Sequence, residues 1–180
     1  YLIENIKNED MNKDIIIAFF NLEEEILMSG GSKMLAQELE SEYTTVVDIN
    51  IDCIGLKDGI TVVGYNDSTP VNDRLVKELG VKLANSSIVT LLAEYYTSDH
   101  VNFKNGICLY SENQMDVIHS VNDTVDNLDL EKIQQISNLL GDYIIDLCNG
   151  DKLAGANVTT VTNDVEMDIG TCKVIEEGGE

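Results

Sequence analysis

The chain has only two histidines, so candidate metal-binding and proton-moving positions can be followed from them and from the carboxylates that cluster in the sequence. Three consecutive glutamates, Glu23, Glu24 and Glu25, close an apolar run and precede the glycine-rich turn MSGGS. Asp48, Asn50 and Asp52 alternate in the stretch DINID. The chain has two histidines: His100 in TSDHVNFKNGI, next to Asp99, and His119 in MDVIHSVNDTVDNLDLEKI. Singly, each has an ordinary explanation. Most carboxylates on so acidic a chain are solvated surface, a lone histidine near a helix start is usually structural or exposed, and His100 reads as a loop residue hydrogen-bonded to its neighbour. Together, polar groups at the ends of separate strands and an imidazole in a loop make an oxygen-and-nitrogen donor set, which suits zinc.

Other chemistries are excluded or unsupported. The formal charge is -22, from 33 acids against 11 bases, which argues against nucleic acid, whose phosphates require clustered Lys and Arg. It argues equally against an anionic membrane surface. No apolar run approaches the roughly 18 residues needed to cross a bilayer. Cys53, Cys108, Cys148 and Cys172 stand alone, with no C-x-x-C pair, so zinc-ribbon and thioredoxin patterns fail. Free thiols are the default expectation, with a disulfide left open. The 180 residues suit one domain, and 43% hydrophobic content indicates a soluble globular core.

The elements that position these residues alternate between strand and helix. Residues 1–9 read as the end of a helix already under way, with Leu2, Ile3 and Ile6 on one stripe. That opening, with no initiator Met, is the pattern of an excerpt from a longer protein. Asp14 to Phe20 is a continuous β-branched and aromatic run, expected as a strand buried on both faces. Ser32 is the expected N-cap of a helix over MLAQELESEY. Residues 44–55 read as a second strand, with Val47, Ile49, Ile51 and Cys53 on one face and Asp48, Asn50 and Asp52 on the other. Three polar groups on one face of a central strand need partners, or they border a site.

A short strand GITVVGY follows, then a helix over 71–84 broken around Gly80. SIVTLLAEYY is ambiguous between helix and strand, and NGICLYSEN reads as a strand. Asp129 to Cys148 carries the clearest helical spacing, ended by Asn149-Gly150. The pattern predicts an α/β domain, a three-layer αβα sandwich around a mostly parallel, mixed sheet. In such folds, polar residues at strand C-termini face the ligand crevice. The division expected is 1–149 as the domain and 150–180 as a linker, tail or start of another domain.

Four segments, in order, resemble the co-catalytic di-zinc aminopeptidases, the clan that includes aminopeptidase S, glutamate carboxypeptidase II and the glutaminyl cyclases. FFNLEEEILMSGGS is similar to that family's strand leading to a Glu-Glu pair and a Gly-Ser turn. NIDCIG resembles its Asn-x-Asp-Met-Ile-Gly strand end, and SDHVNFKNGI its Ser-Asp-His loop. IHSVNDTVDNLDLEKI resembles its His-Thr-x-x-Asp entry to the last helix. The similarity covers roughly residues 1–149. It implies a zinc-peptidase (hydrolase-like) fold and an exopeptidase that removes N-terminal residues from peptides, with two zinc ions in the complete domain.

By the same resemblance, Glu23 is the general base for the attacking water. Glu24 and His119 ligate one zinc and Asp52 the other. Asp99, His100 and Asp123 form or fix the pocket around them. The interval of 28 residues from Glu24 to Asp52 suits the family spacing.

Departures from the pattern leave some assignments open. Phe20-x-x-Glu favours the pair Glu23/Glu24, whereas counting back from Gly30 allows Glu24/Glu25. The family's glycine after the pair is Ile26 or Leu27 here, its Met is Cys53, and its prolines in the third motif are Asn102 and Cys108. Its remaining His and bridging Asp lie upstream of the Glu-Glu strand; the 22 residues before Glu23 hold no histidine. The expectation is an N-terminally truncated catalytic domain with weak or no activity alone. The competing readings are a non-catalytic binding or structural homologue, and a single-zinc transferase resembling glutaminyl cyclases. The partner implied is a peptide, and the resemblance favours an extracytoplasmic or secreted location. Oligomeric state is open.

Overall fold

The computed structural model describes residues 2–6, 11–20, 30–94, 97–150 and 172–175. Its elements are helix α1 (Leu2–Ile6), helix α2 (Gly31–Glu42), strand β1 (Asp48–Ile51), strand β2 (Thr61–Tyr65), helix α3 (Pro70–Asn85), strand β3 (Thr90–Glu94), strand β4 (Gly106–Ser111), helix α4 (Leu130–Asn149) and strand β5 (Cys172–Ile175). The five strands form one sheet in the order β1-β4-β2-β3-β5. The pairs β1/β4, β2/β3 and β3/β5 are parallel and β2/β4 is antiparallel. The mixed, mostly parallel α/β sheet expected from the alternation is therefore present. Residues 172–175 add a parallel strand beside β3.

Strand alternation divides the sheet into two chemically different faces. Val63 and Tyr65 of β2, Ile107 and Leu109 of β4, and Val47 and Ile49 beside or within β1 meet Leu75, Leu79 and Leu83 of α3 and Ile136, Leu140, Tyr143 and Leu147 of α4. Most of these side chains are almost fully buried, and at about 25 cal/mol per Å² of apolar surface removed from water this layer dominates the folding energy. The opposite face carries Val62, Leu91 and Ala93 as a smaller cluster. Across β1 and β4, in register, lie Asp48 with Gly106 and Asn50 with Cys108.

Helix ends follow their local chemistry. Thr69 caps α3 by accepting from the Asn72 backbone N–H at 3.0 Å, with Pro70 at the first helical position. Asp129 caps α4 in the same way, accepting from Lys132 N–H at 3.0 Å.

Several sequence expectations are corrected. The run Asp14 to Phe20 forms no strand: Ile16, Ile17 and Phe19 are exposed, Phe19 at 87%. A continuous apolar run becomes a buried strand only when ladder partners flank it, and no described strand pairs with this one. The chain just before it is instead tied to the end of α4, where Lys13 Nζ donates to the carbonyls of Cys148 at 2.7 Å and Gly150 at 2.8 Å.

Ser32 is not an N-cap. Helix α2 begins at Gly31 with Gly30 as its cap, while Ser32 is buried and its Oγ accepts from Asn102 Nδ2 at 2.9 Å. Gly80 does not break α3, which is continuous. A Cβ there would lie 2.5 Å from Leu92 Cδ2, so the glycine lets the helix lie close on β3. The strand expected over 44–55 is confined to 48–51, because Cys53 and Gly55 adopt positive φ (50° and 83°) and turn the chain. Among the described residues β1 is an edge strand rather than a central one.

Candidate active site

The polar face of β1 is organised around a short donor chain. Asn50 Nδ2 donates to Ser98 Oγ at 2.8 Å, and Ser98 Oγ donates to Asp52 Oδ2 at 2.8 Å. The second N–H of the Asn50 amide points to Cys108 Sγ at 3.5 Å. Ser98 is buried and immediately precedes a 3-10 turn, Asp99–Asn102. Gly106 makes that turn's position possible, since a Cβ on it would meet the His100 carbonyl oxygen at 2.3 Å. The turn can therefore lie flat on the sheet only where β4 carries no side chain.

Electrostatics along this face are unfavourable to added charge. Burial and the neighbouring Asp99 carboxylate push Asp48 up to about 7, and its Oδ2 is buried without a hydrogen-bond partner among the described residues. Burial, together with Asp52 and Asp48, raises the Cys108 thiol well above its usual range. That thiol is therefore neutral at physiological pH and serves as a weak acceptor for Asn50.

Asp52 lies at the C-terminal end of β1. Its backbone N–H donates to the Leu109 carbonyl at 2.9 Å, and the Cys53 carbonyl accepts from Ser111 N–H at 3.2 Å. Because β1 and β4 are parallel, the loop that follows β4 leaves from the same edge of the sheet. His119 sits in that loop, exposed and with φ of 59°. The loop is stapled to the turn after Asp52: Leu56 bridges Leu128, Lys57 N–H donates to the Asn127 carbonyl at 3.0 Å, and Asp129 N–H to the Gly55 carbonyl at 2.8 Å. Lys132 Nζ adds bonds to the carbonyls of Leu56 at 2.8 Å and Gly59 at 2.9 Å.

Of the residues singled out from sequence, Asp52, Asp99 and His100 are brought to one region by β1 and the 3-10 turn. Asp99 is half-buried and His100 is 1% exposed. Asp123 is exposed in the His119 loop, its N–H donating to the Ser120 carbonyl at 3.2 Å. Glu23, Glu24 and Glu25 lie outside the described residues. Among the described residues, no three His, Cys, Asp or Glu side chains are grouped closely enough to hold a metal ion. The donor types nevertheless fit zinc: one oxygen of Asp52 is held by Ser98 and the other accepts no hydrogen bond from the described residues, and His119 offers an exposed imidazole. Sequence reading passed over Ser98, although the Ser-Asp-His motif contained it, and it named Asp48 as one of three polar residues on one strand face without giving it a role.

The family model for peptidase family M28 matches residues 1–144. The chain belongs to peptidase family M28. This agrees with the resemblance carried by the four motifs. No curated protein matches the chain. Among solved structures it is similar to an aminopeptidase from Aneurinibacillus sp. strain AM-1, with 24% sequence identity and a TM-score of 0.57. The match covers 71% of this chain and 32% of that one, so the chain spans about a third of the solved protein. At that identity the likeness establishes the M28-type α/β fold, and function rests on the site.

Proposed function

We propose that this chain carries the C-terminal part of the catalytic domain of a zinc-dependent exopeptidase, an aminopeptidase acting on the N-terminal residue of peptides. The observation that carries this reading is the placement of Asp52. A carboxylate at the C-terminal edge of a parallel strand pair has one oxygen held by Ser98 and another that accepts no hydrogen bond from the described residues, beside the loop that bears His119. Asp52 would hold one zinc, and His119 with Glu24 the other. The chemistry supplied by the bound metal is acidification of the attacking water and polarisation of the scissile carbonyl.

The chain's own residues supply the rest. Glu23, carrying no metal, takes the proton from the attacking water and delivers it to the leaving amine. The contacts between the turn at 55–59 and residues 127–132 tie the segment after Asp52 to the end of the loop that bears His119. Ser98 and Asn50 fix the rotamer of Asp52.

The test uses the full-length protein. Chelation is expected to abolish cleavage of aminoacyl-nitroanilides, and zinc to restore it. Asp52→Ala is expected to lower both the zinc bound per chain and the turnover. Unaltered zinc content and turnover in Asp52→Ala would sink this reading in favour of a non-catalytic homologue.

A further inference from the structure

Strand alternation puts Asp48 and Asn50 on one face of β1. The 3-10 turn lies on that face, since Asn50 Nδ2 reaches Ser98 Oγ at 2.8 Å and a Cβ on Gly106 would run into the His100 carbonyl oxygen. Gly106 is also the in-register partner of Asp48. Asp48 therefore stands beneath the turn, beside the β4 position that carries no side chain. Its Oδ2 is buried and has no hydrogen-bond partner among the described residues. The carboxylate of Asp99, the first residue of the turn, is near enough to raise its proton affinity further. An ionised carboxylate in that place has one oxygen without water or donor and a second negative charge beside it. The acid form instead has an O–H to give, and Asp99 is an anionic acceptor at hand. The remaining titratable and charged groups come from four segments. β4 contributes the neutral Cys108 thiol, β1 the carboxylate of Asp52, and the turn itself the buried His100. Helix α2 rests on the turn through the Ser32–Asn102 hydrogen bond at 2.9 Å, but its Lys33, Glu38, Glu40 and Glu42 are exposed, as is Lys104 in the connection to β4. Both lysines therefore hold their charge in solvent.

We infer that the Asp48 carboxyl is a proton-operated latch for the 3-10 turn: protonated, it holds Asp99 and seats the turn on β1 and β4; ionised, it repels Asp99 and lets the turn lift locally. One proton passes between Asp48 and solvent in the process, and no other group needs to change its charge. The inference goes beyond the peptidase reading and requires no metal. Because the turn borders Asp52, the same proton governs how firmly one wall of the candidate site is held.

The experiment is amide hydrogen exchange of the full-length protein from pH 6 to pH 8, corrected for the intrinsic pH dependence of exchange. Val101 and Phe103 report the turn, because their N–H groups donate to the Ser98 and His100 carbonyls, each at 3.1 Å; amides of α4 report global unfolding. The Asp48 carboxyl titrates at about 7 under the seated turn, against its ordinary 3.8 once released. The opening constant of the turn is therefore expected to rise about tenfold over this range, and to stay larger than that of α4 throughout. In Asp48→Asn it is expected to change by less than about twofold, and in Asp99→Asn the rise is expected to be smaller than in the wild type. Turn amides that exchange only together with those of α4, or a wild-type opening constant that stays flat, overturn the inference. A rise that Asp99→Asn leaves at full size overturns the pairing with Asp99 and the latch with it. Should Asp48→Asn fail to fold, the wild-type rise and its reduction in Asp99→Asn decide.

Discussion

Replacing Asp48 by Asn isolates the cost of charging a buried carboxyl on the polar face of β1. In the folded protein burial and Asp99 raise Asp48 from its ordinary 3.8 to about 7. The folded state therefore binds the proton more tightly than the unfolded chain does. Between pH 4 and 7 the folded protein holds more protons, so stability falls as pH rises through that window, and the loss is complete above it. The interval between 3.8 and about 7 corresponds to a full penalty of about 4 kcal/mol. Linkage places about 1.7 kcal/mol of it below pH 5, and about 2.6 kcal/mol falls between pH 5 and pH 8.

An amide at position 48 does not titrate, so its contribution is flat. It carries its own cost, however, since a buried amide without partners loses about 1–3 kcal/mol at every pH. Asp48 Oδ2 already lacks a partner among the described residues, so the absolute stability of the variant says little and the pH dependence is the diagnostic quantity. Urea unfolding at a series of pH values from 5 to 8 is expected to show the wild type losing about 2–3 kcal/mol more than Asp48→Asn. Parallel curves, differing by less than about 0.5 kcal/mol across the range, would refute the assignment of Asp48 as a neutral buried acid.

Two further substitutions probe the frame and the chemistry. Gly106→Ala places a Cβ 2.3 Å from the His100 carbonyl oxygen, backbone that cannot swing aside, and is expected to cost about 1–3 kcal/mol in denaturant unfolding. The same change at Gly80, where the obstacle is the mobile tip of Leu92, is expected to cost markedly less. In the full-length protein, Glu23→Gln is expected to reduce turnover by at least about 100-fold while zinc content per chain is retained. Loss of zinc instead would make Glu23 a ligand, and retained turnover would move the base to the Glu24/Glu25 register.

The sequence by itself carried the class of fold and much of the grammar of its elements. Helical spacing from Leu130 to Leu147 located α4, because an amphipathic stripe records the face that is buried. The alternation of Asp48, Asn50 and Asp52 against Val47 and Ile49 recorded which face of β1 is polar, since a strand places every second side chain on one side. The order of four motifs was enough to point to the family. What sequence could not decide were outcomes of pairing and packing between distant segments. The apolar run 14–20 has the composition of a buried strand, but a strand exists only where another backbone accepts its hydrogen bonds. Gly80 looks like a helix breaker until Leu92 occupies the space beside it. Ser98 looked like an ordinary residue of a loop, and its role became visible only when the 3-10 turn settled over Gly106 and brought its hydroxyl between Asn50 and Asp52, 48 and 46 residues away. Periodicity reports which way a side chain faces; the partner it meets there is set by the tertiary fold, because hydrogen bonds and close contacts depend on distance in space rather than along the chain.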